Sequence, residues 1–348
     1  MARPETPNHN PSELPLAMTM GEPAGIGGEI ALKSWKLNPR PPGFFMIDDV
    51  VRLEKLRDEL GLDVPIRDIL SPEDAFDVFS EALPVFSCPL ADETTLGSPS
   101  PNTASSVIRS IELAVKFVTE GLAAAVVTNP IQKNVLYAAG FRYPGHTEFL
   151  AELIGIGSPP VMMLACPGLR VVPVTVHVGL RQAINDLTTD VIIEQTRILD
   201  QSLRRDFAIT DPVIAVSGLN PHAGEDGAMG GEENTVIGPA IKALVQQGIN
   251  VQGPYPPDSL FTRTSRETYD AAVCMYHDQA LIPIKTLDFA GAVNVTLGLP
   301  VIRTSPDHGT ATEIAGKGVA DPSSLLNAMD LARRMAANRA AFEAVNQP

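Results

Sequence analysis

Short apolar runs alternate with amphipathic segments along most of the chain. PLAMTMG at 15–21 reads as a first strand, and the segment from Pro23 to Leu37 as the helix that follows it. GFFMID at 43–48 predicts a second strand, with a helix in VVRLEKLRDEL behind it. In TASSVIRSIELAVKFVTE at 103–120, Val107, Ile111, Ala114, Val115 and Val118 share one face. That spacing fits helix periodicity better than strand alternation. AAAVVTNP (123–130), VMMLAC (161–166), RVVPVTV (170–176), VIAVSG (213–218), AAVCMY (271–276) and VNVTLG (293–298) predict further strands. Asp321-Pro322 predicts an N-cap with proline at the first helical position, opening a C-terminal helix through SSLLNAMDLARRMAANRAAFEAV. Strands alternating with helices predict an α/β chain with a largely parallel sheet.

Composition narrows the classes of function. A length of 348 residues is about two domains. Asp plus Glu number 41 against 26 Lys plus Arg, a formal net charge of −15, which argues against a duplex-DNA or RNA binder and against docking on anionic membranes. No apolar run approaches the ~20 residues that span a bilayer. MARPETPNHNPSELP lacks the apolar stretch of a secretory signal and reads as a disordered tail. Cys88, Cys166 and Cys274 lie in or beside apolar stretches without paired short spacing, as in a reduced cytoplasmic chain without structural disulfides. Many of the 31 prolines fall at expected strand ends and loops, Pro254 to Pro257 among them.

Histidine is scarce, and its placement carries the candidate chemistry. Of 6 histidines, 5 lie between positions 146 and 308. His177 ends VVPVTVH, His222 lies just beyond VIAVSG, and His277 closes AAVCMYH. Ligand sites of open parallel sheets form outside the carboxyl ends of the strands. Three imidazoles there would leave open positions on a divalent ion; taken singly, a strand-end histidine is usually a hydrogen-bonded structural residue. Asp278 could orient a ligand or act as a base, or be a solvated loop carboxylate. GEPAGIGGE at 21–29 is a glycine-rich turn but not a dinucleotide fingerprint, because Ile30 stands where the third glycine belongs. GHTE puts His146 and Thr147 at a helix start suited to an anion or to simple capping. Lys285, Asn294 and Arg303 follow in regions where the cations could neutralise phosphate or lie on a solvated surface. HGTATEIAGKGVADP at 308–322 is a loop with glycines around a short helix, able to wrap a nucleotide or to connect two elements.

Six segments, in one order over roughly residues 15–330, resemble the 4-hydroxythreonine-4-phosphate dehydrogenase family of pyridoxine biosynthesis. They are MTMGEPAGIGGEIALK, VTNPIQKNVLYAAGFRYPGHTEFLAEL, VHVGLRQAI, SGLNPHAGEDGAMGGEE, MYHDQALIPIK and VNVTLGLPVIRTSPDHGTATEIAGKG. Glu22 stands where many members have Asp, Gly28 where many have Pro, and Gln132 where Asn is usual. The resemblance implies two α/β domains with a cleft between them, isocitrate/isopropylmalate dehydrogenase-like. The expected limits are a tail at 1–14, a first domain of 15–130 plus 305–348 with the nucleotide loop, and a second of 131–304 with metal, substrate groups and dimer interface. It implies one divalent ion (zinc, magnesium or cobalt) on His177, His222 and His277, drawn from both subunits of a homodimer. His146, Thr147, Lys285, Asn294 and Arg303 would contact the phosphorylated substrate, and His308, Gly309, Thr310 and Ala311 the adenosine half of NAD or NADP. Asp278 and Lys285 are the candidates for the catalytic proton acceptor. The implied reaction is oxidation of 4-phosphohydroxy-L-threonine to a 3-oxo acid that loses carbon dioxide, in the cytoplasm. Related enzymes of the fold acting on 4-phospho-D-threonate, 4-phospho-D-erythronate or a dihydrodiol dicarboxylate are the alternative; YPGHTEFLAE and VLYAAGF resemble the pyridoxine enzyme more closely.

Overall fold

The structure, a computed structural model, describes residues 13–37, 43–143, 145–155 and 159–346, with 146–148 described for their backbone alone. Its strands run in chain order β1 (Leu16–Thr19), β2 (Phe44–Asp48), β3 (Ile66–Ile69), β4 (Leu83–Ser87), β5 (Val126–Val127) and β6 (Val161–Cys166). They continue with β7 (Leu169–Thr175), β8 (Ile214–Ser217), β9 (Val251–Tyr255), β10 (Ala271–Tyr276), β11 (Val293–Leu297) and β12 (Arg303–Pro306). The chain divides into two compact units, one up to Pro159 and again from Leu299, the other Pro160–Gly298.

In the first unit the strand order is β3-β4-β2-β1-β5-β12, all parallel. β1 and β2 are buried at every position, as expected of parallel strands covered on both faces. The helix Ala104–Thr119 lays Val107, Ile111, Ala114 and Val115 into the core with Phe45, Ile47 and Val126. The outer strand β3 carries exposed Arg67 and Asp68, charges that discourage edge pairing. In the second unit the order is β11-β6-β7-β10-β8-β9. β6 runs antiparallel to both β11 and β7, and the remaining pairs are parallel. β9 is an edge strand, which is where a strand tolerates a proline such as Pro254.

Several expectations shift. The helix expected from Pro23 begins at Gly27, because the Ile26 N–H is spent on Thr310 O (3.1 Å) and Ala24 N–H on the Glu22 carboxylate (3.1 Å). The domain limits expected at 130/131 and 304/305 fall at 159/160 and 298/299. Leu136, Phe149, Leu150, Leu299 and Val301 pack into the core of the first unit, so apolar burial assigns those segments there. Most of the expected tail lies outside the described residues, and Leu14 at its end is buried. The cysteines are free thiols, as expected. Asp321 does cap the last helix, Ser323–Asn346, its carboxylate accepting from Ser323 N (2.9 Å) and Oγ (2.6 Å). Among the described residues no helix is long and apolar enough to cross a membrane.

Candidate active site

In the second unit β7, β10 and β8 lie side by side and parallel, so their carboxyl ends share one edge. The register pairs Thr175 with Tyr276, and the Thr175 hydroxyl donates to Met275 O at 2.9 Å. His177 follows β7 by two residues, with a left-handed backbone (φ 52), and His277 opens the helix His277–Leu287 directly after β10. Their ring centroids stand 5.6 Å apart, tilted by 44°. Both line a cavity of about 180 Å³ with Val178, Leu180, Ala183, Tyr276 and Asp278. His277 Nδ1–H donates to Asp278 Oδ1 at 2.7 Å, an arrangement that would leave Nε2 as the nitrogen able to ligate a metal.

His222 lies beyond β8 in a turn whose backbone is left-handed from His222 to Asp226. Each L residue so held costs about 1–2 kcal/mol, so the surroundings must enforce the turn. Buried Glu233 anchors the residues that lead into it. Its Oε1 accepts from Leu219 N (2.8 Å) and Asn220 N (2.7 Å), and Oε2 from Asn220 Nδ2 (2.9 Å). Gly224 sits against that carboxylate with φ +79, where a Cβ would come within 2.6 Å of Oε2. Gln279, also buried, ties the strand ends together: it accepts from Met275 N (2.7 Å) and donates to Gly218 O (2.8 Å). Sequence reading missed Glu233, Asn220 and Gln279, because nothing local marks a carboxylate or amide with a partner more than ten residues away. Among the described residues no three His, Cys, Asp or Glu side chains stand close enough to hold an ion. One chain thus brings His177 and His277 together and leaves His222 apart. Two tilted imidazoles, one with its remote nitrogen held by a carboxylate, fit a divalent cation needing one further donor.

Lys285 is half-buried on the same helix as His277, its Nζ 5.7 Å from the Phe289 ring centroid, and Asn294 lies on β11 opposite Leu164. The remaining candidates belong to the first unit. His146 and Thr147 open the helix His146–Ile154, after Gly145, as expected; their side chains lie outside the described residues. Arg303 is not on a solvated surface. It is 4% exposed on β12, with Nε and Nη2 donating to Thr128 Oγ1 at 3.1 and 2.7 Å.

The carboxyl ends of β1, β5 and β12 adjoin one another and gather the glycine-rich turn, Asn129 and the 308–311 loop. At Gly25 a Cβ would meet Thr310 O at 2.7 Å, so only glycine allows this approach. Thr310 Oγ1 donates to Gln132 Oε1 at 2.8 Å, and Ala311 is left-handed (φ 44) before the short helix Thr312–Ile314. Arg52, paired with Asp48, donates to Pro23 O at 3.1 Å and braces the turn. Glu22 is buried, and burial holds its carboxyl above the usual range against the pull of the Ala24 N–H and Arg52. His308 Nδ1–H donates to Gly309 O at 2.9 Å. His308 Nε2 and Asn129 Oδ1 are buried acceptors without a partner among the described residues. Unmet buried acceptors cost free energy, and here they fit a ligand offering N–H or O–H groups, as a dinucleotide does.

The fold and site are those of a two-unit α/β enzyme with strand-end histidines and a glycine-rich turn closed against a second loop. Residues 44–332 match the family model described as pyridoxal phosphate biosynthetic protein PdxA. The chain is 52% identical to a 4-hydroxythreonine-4-phosphate dehydrogenase of Bradyrhizobium diazoefficiens, over 94% of this chain and 99% of that one. It is similar to the crystal structure of a 4-hydroxythreonine-4-phosphate dehydrogenase from Klebsiella pneumoniae, with TM-score 0.85, 38% identity and coverage of 93% and 98%. A terephthalate 1,2-cis-dihydrodiol dehydrogenase from Burkholderia xenovorans LB400 is more distant, with TM-score 0.63, 27% identity and coverage of 92% and 98%. This chain belongs to the PdxA family.

Proposed function

We propose that the chain is a 4-hydroxythreonine-4-phosphate dehydrogenase. It would oxidise 4-phosphohydroxy-L-threonine with NAD or NADP to 2-amino-3-oxo-4-phosphooxybutanoate, which decarboxylates to 3-amino-2-oxopropyl phosphate, in pyridoxine biosynthesis. The observation that carries this reading is the pair His177 and His277 at the ends of adjacent strands, with Asp278 orienting the second. His177, His222 and His277 would hold one divalent ion (zinc, cobalt or magnesium), the third imidazole supplied across a homodimer in the cytoplasm. When bound, the ion supplies a Lewis acid for the substrate hydroxyl and the nicotinamide ring supplies a hydride acceptor.

The chain's own residues do the rest. His146, Thr147, Lys285, Asn294 and Arg303 bind the phosphorylated substrate, and binding energy spent on a remote phosphate orients the reacting carbon. Thr128 fixes the buried Arg303 guanidinium. Asp278 or Lys285 accepts the hydroxyl proton as the C–H electron pair departs. His308, Gly309, Thr310 and Ala311 line the adenosine side, with His308 Nε2 an acceptor for a donor group there.

The test is nicotinamide reduction with 4-phosphohydroxy-L-threonine, 4-phospho-D-threonate, 4-phospho-D-erythronate and a dihydrodiol dicarboxylate, each with and without chelator. Fastest turnover of the first, lost on chelation, is expected; dominant activity on another acid would overturn the assignment.

A further inference from the structure

Glu233 stands outside the cavity that His177 and His277 line, and nothing in the reaction calls for it. Yet its buried carboxylate is the most heavily bonded group around the His222 turn. It takes two backbone N–H groups at the start of that turn and the Asn220 amide, which also donates to Glu232 Oε2 at 2.8 Å. It lies against the approach to the left-handed run and against its middle: a Cβ added at Gly218 would come 3.1 Å from Oε1, and one at Gly224 2.6 Å from Oε2. A Cβ added at Gly218 would also come 2.8 Å from the Cα of Ala223, the neighbour of His222, so only glycine allows this approach. Glu233 opens an i→i+5 turn, Glu233–Ile237, a feature frequent at functional sites.

We infer that Glu233 is a positioning residue for His222: its carboxylate holds the left-handed turn that aims the imidazole at the ion. The inference rests on the proposed metal role of His222. Carboxylates behind metal ligands raise affinity by about 10–100-fold, and this one acts through backbone rather than through the ring. A neutral amide in its place keeps the volume and can keep an oxygen on Leu219 N and Asn220 N, but it turns an N–H toward Asn220 Nδ2 and removes the charge that strengthens all three bonds. The turn is then held less tightly.

The experiment titrates Co²⁺ into the full-length, metal-stripped protein, following its visible absorption and the heat of binding, for wild type, Glu233→Gln, Asn220→Ala and His222→Ala. Glu233→Gln is expected to weaken Co²⁺ binding by about 10–100-fold, with the metal-free unfolding temperature and circular dichroism close to wild type and turnover recovering at saturating metal. Wild-type affinity in Glu233→Gln would overturn the inference, as would a lowered unfolding temperature with unchanged affinity. Should Glu233→Gln fail to fold, Asn220→Ala decides, since it removes one donor and leaves the carboxylate; wild-type affinity there overturns it too. If His222→Ala binds Co²⁺ as tightly as wild type, the metal reading itself has failed. If only Glu233→Gln and Asn220→Ala do so, that reading stands and the positioning role falls.

Discussion

His177 and His277 face one another 5.6 Å apart, carried by two adjacent strands that pair Thr175 with Tyr276. Strand pairing, not chain proximity, brings the two rings together. Removing either imidazole should therefore remove metal-dependent turnover without unfolding the sheet. His277→Ala is expected to lose about 10³-fold in kcat/KM, the worth of several kcal/mol of Lewis-acid stabilisation. Asp278→Asn should weaken metal binding by about 10–100-fold. Metal content and nicotinamide reduction check both, and turnover that survives a chelator would refute the metal role.

Arg303 places a guanidinium inside the first unit, where it bonds to Thr128, the residue that follows β5. Lysine cannot reproduce two N–H bonds to one hydroxyl. Arg303→Lys is expected to raise KM for the phosphorylated substrate at least tenfold, the worth of one charged hydrogen bond of about 1.5–3 kcal/mol. An unchanged KM would remove Arg303 from the substrate contacts.

Glu22 is a carboxylic acid whose folded pKa lies above its unfolded value because burial disfavours the anion. The native state keeps its proton where the unfolded chain has lost it, so this group's contribution to stability falls as pH rises through the folded pKa. Glu22→Gln, which never ionises, should unfold at a higher temperature than wild type at pH 8 and show no such gain at pH 4. Equal differences at both pH values would contradict a raised pKa.

Burial pushes the Cys88 and Cys166 thiols up to about 11, and drives buried Cys274 higher still. Thiolate is the reactive form, so at pH 7.5 iodoacetamide should label the native protein slowly and leave activity intact. Rapid labelling below pH 9, read by mass spectrometry, would show thiols far more acidic than this.

Gln132, although it departs from the usual Asn, accepts from Thr310 in the expected nucleotide loop. Gln132→Ala should raise the KM for the cofactor several-fold, about 1 kcal/mol for one hydrogen bond, and leave the substrate KM nearly unchanged. Steady-state kinetics with each component varied distinguishes the two.

Local order was legible in the sequence: the apolar strands, the amphipathic face from Val107 to Val115, the Asp321 cap and the three histidines beyond strand ends. Each depends on neighbours a few residues away, through side-chain periodicity or a capping bond. Pairing order and burial do not. β12 reads RTSP, with no apolar signal, yet all four residues are buried because Thr304 bonds to Ala328 O and Arg303 to Thr128. Packing of Phe149 and Leu150 carried His146 and Thr147 into the first unit. Only the tertiary structure set His177 beside His277 and kept His222 apart. A net charge of −15 likewise gave no hint of a guanidinium held inside one unit, since burial and hydrogen bonding are properties of the packed chain and not of its composition.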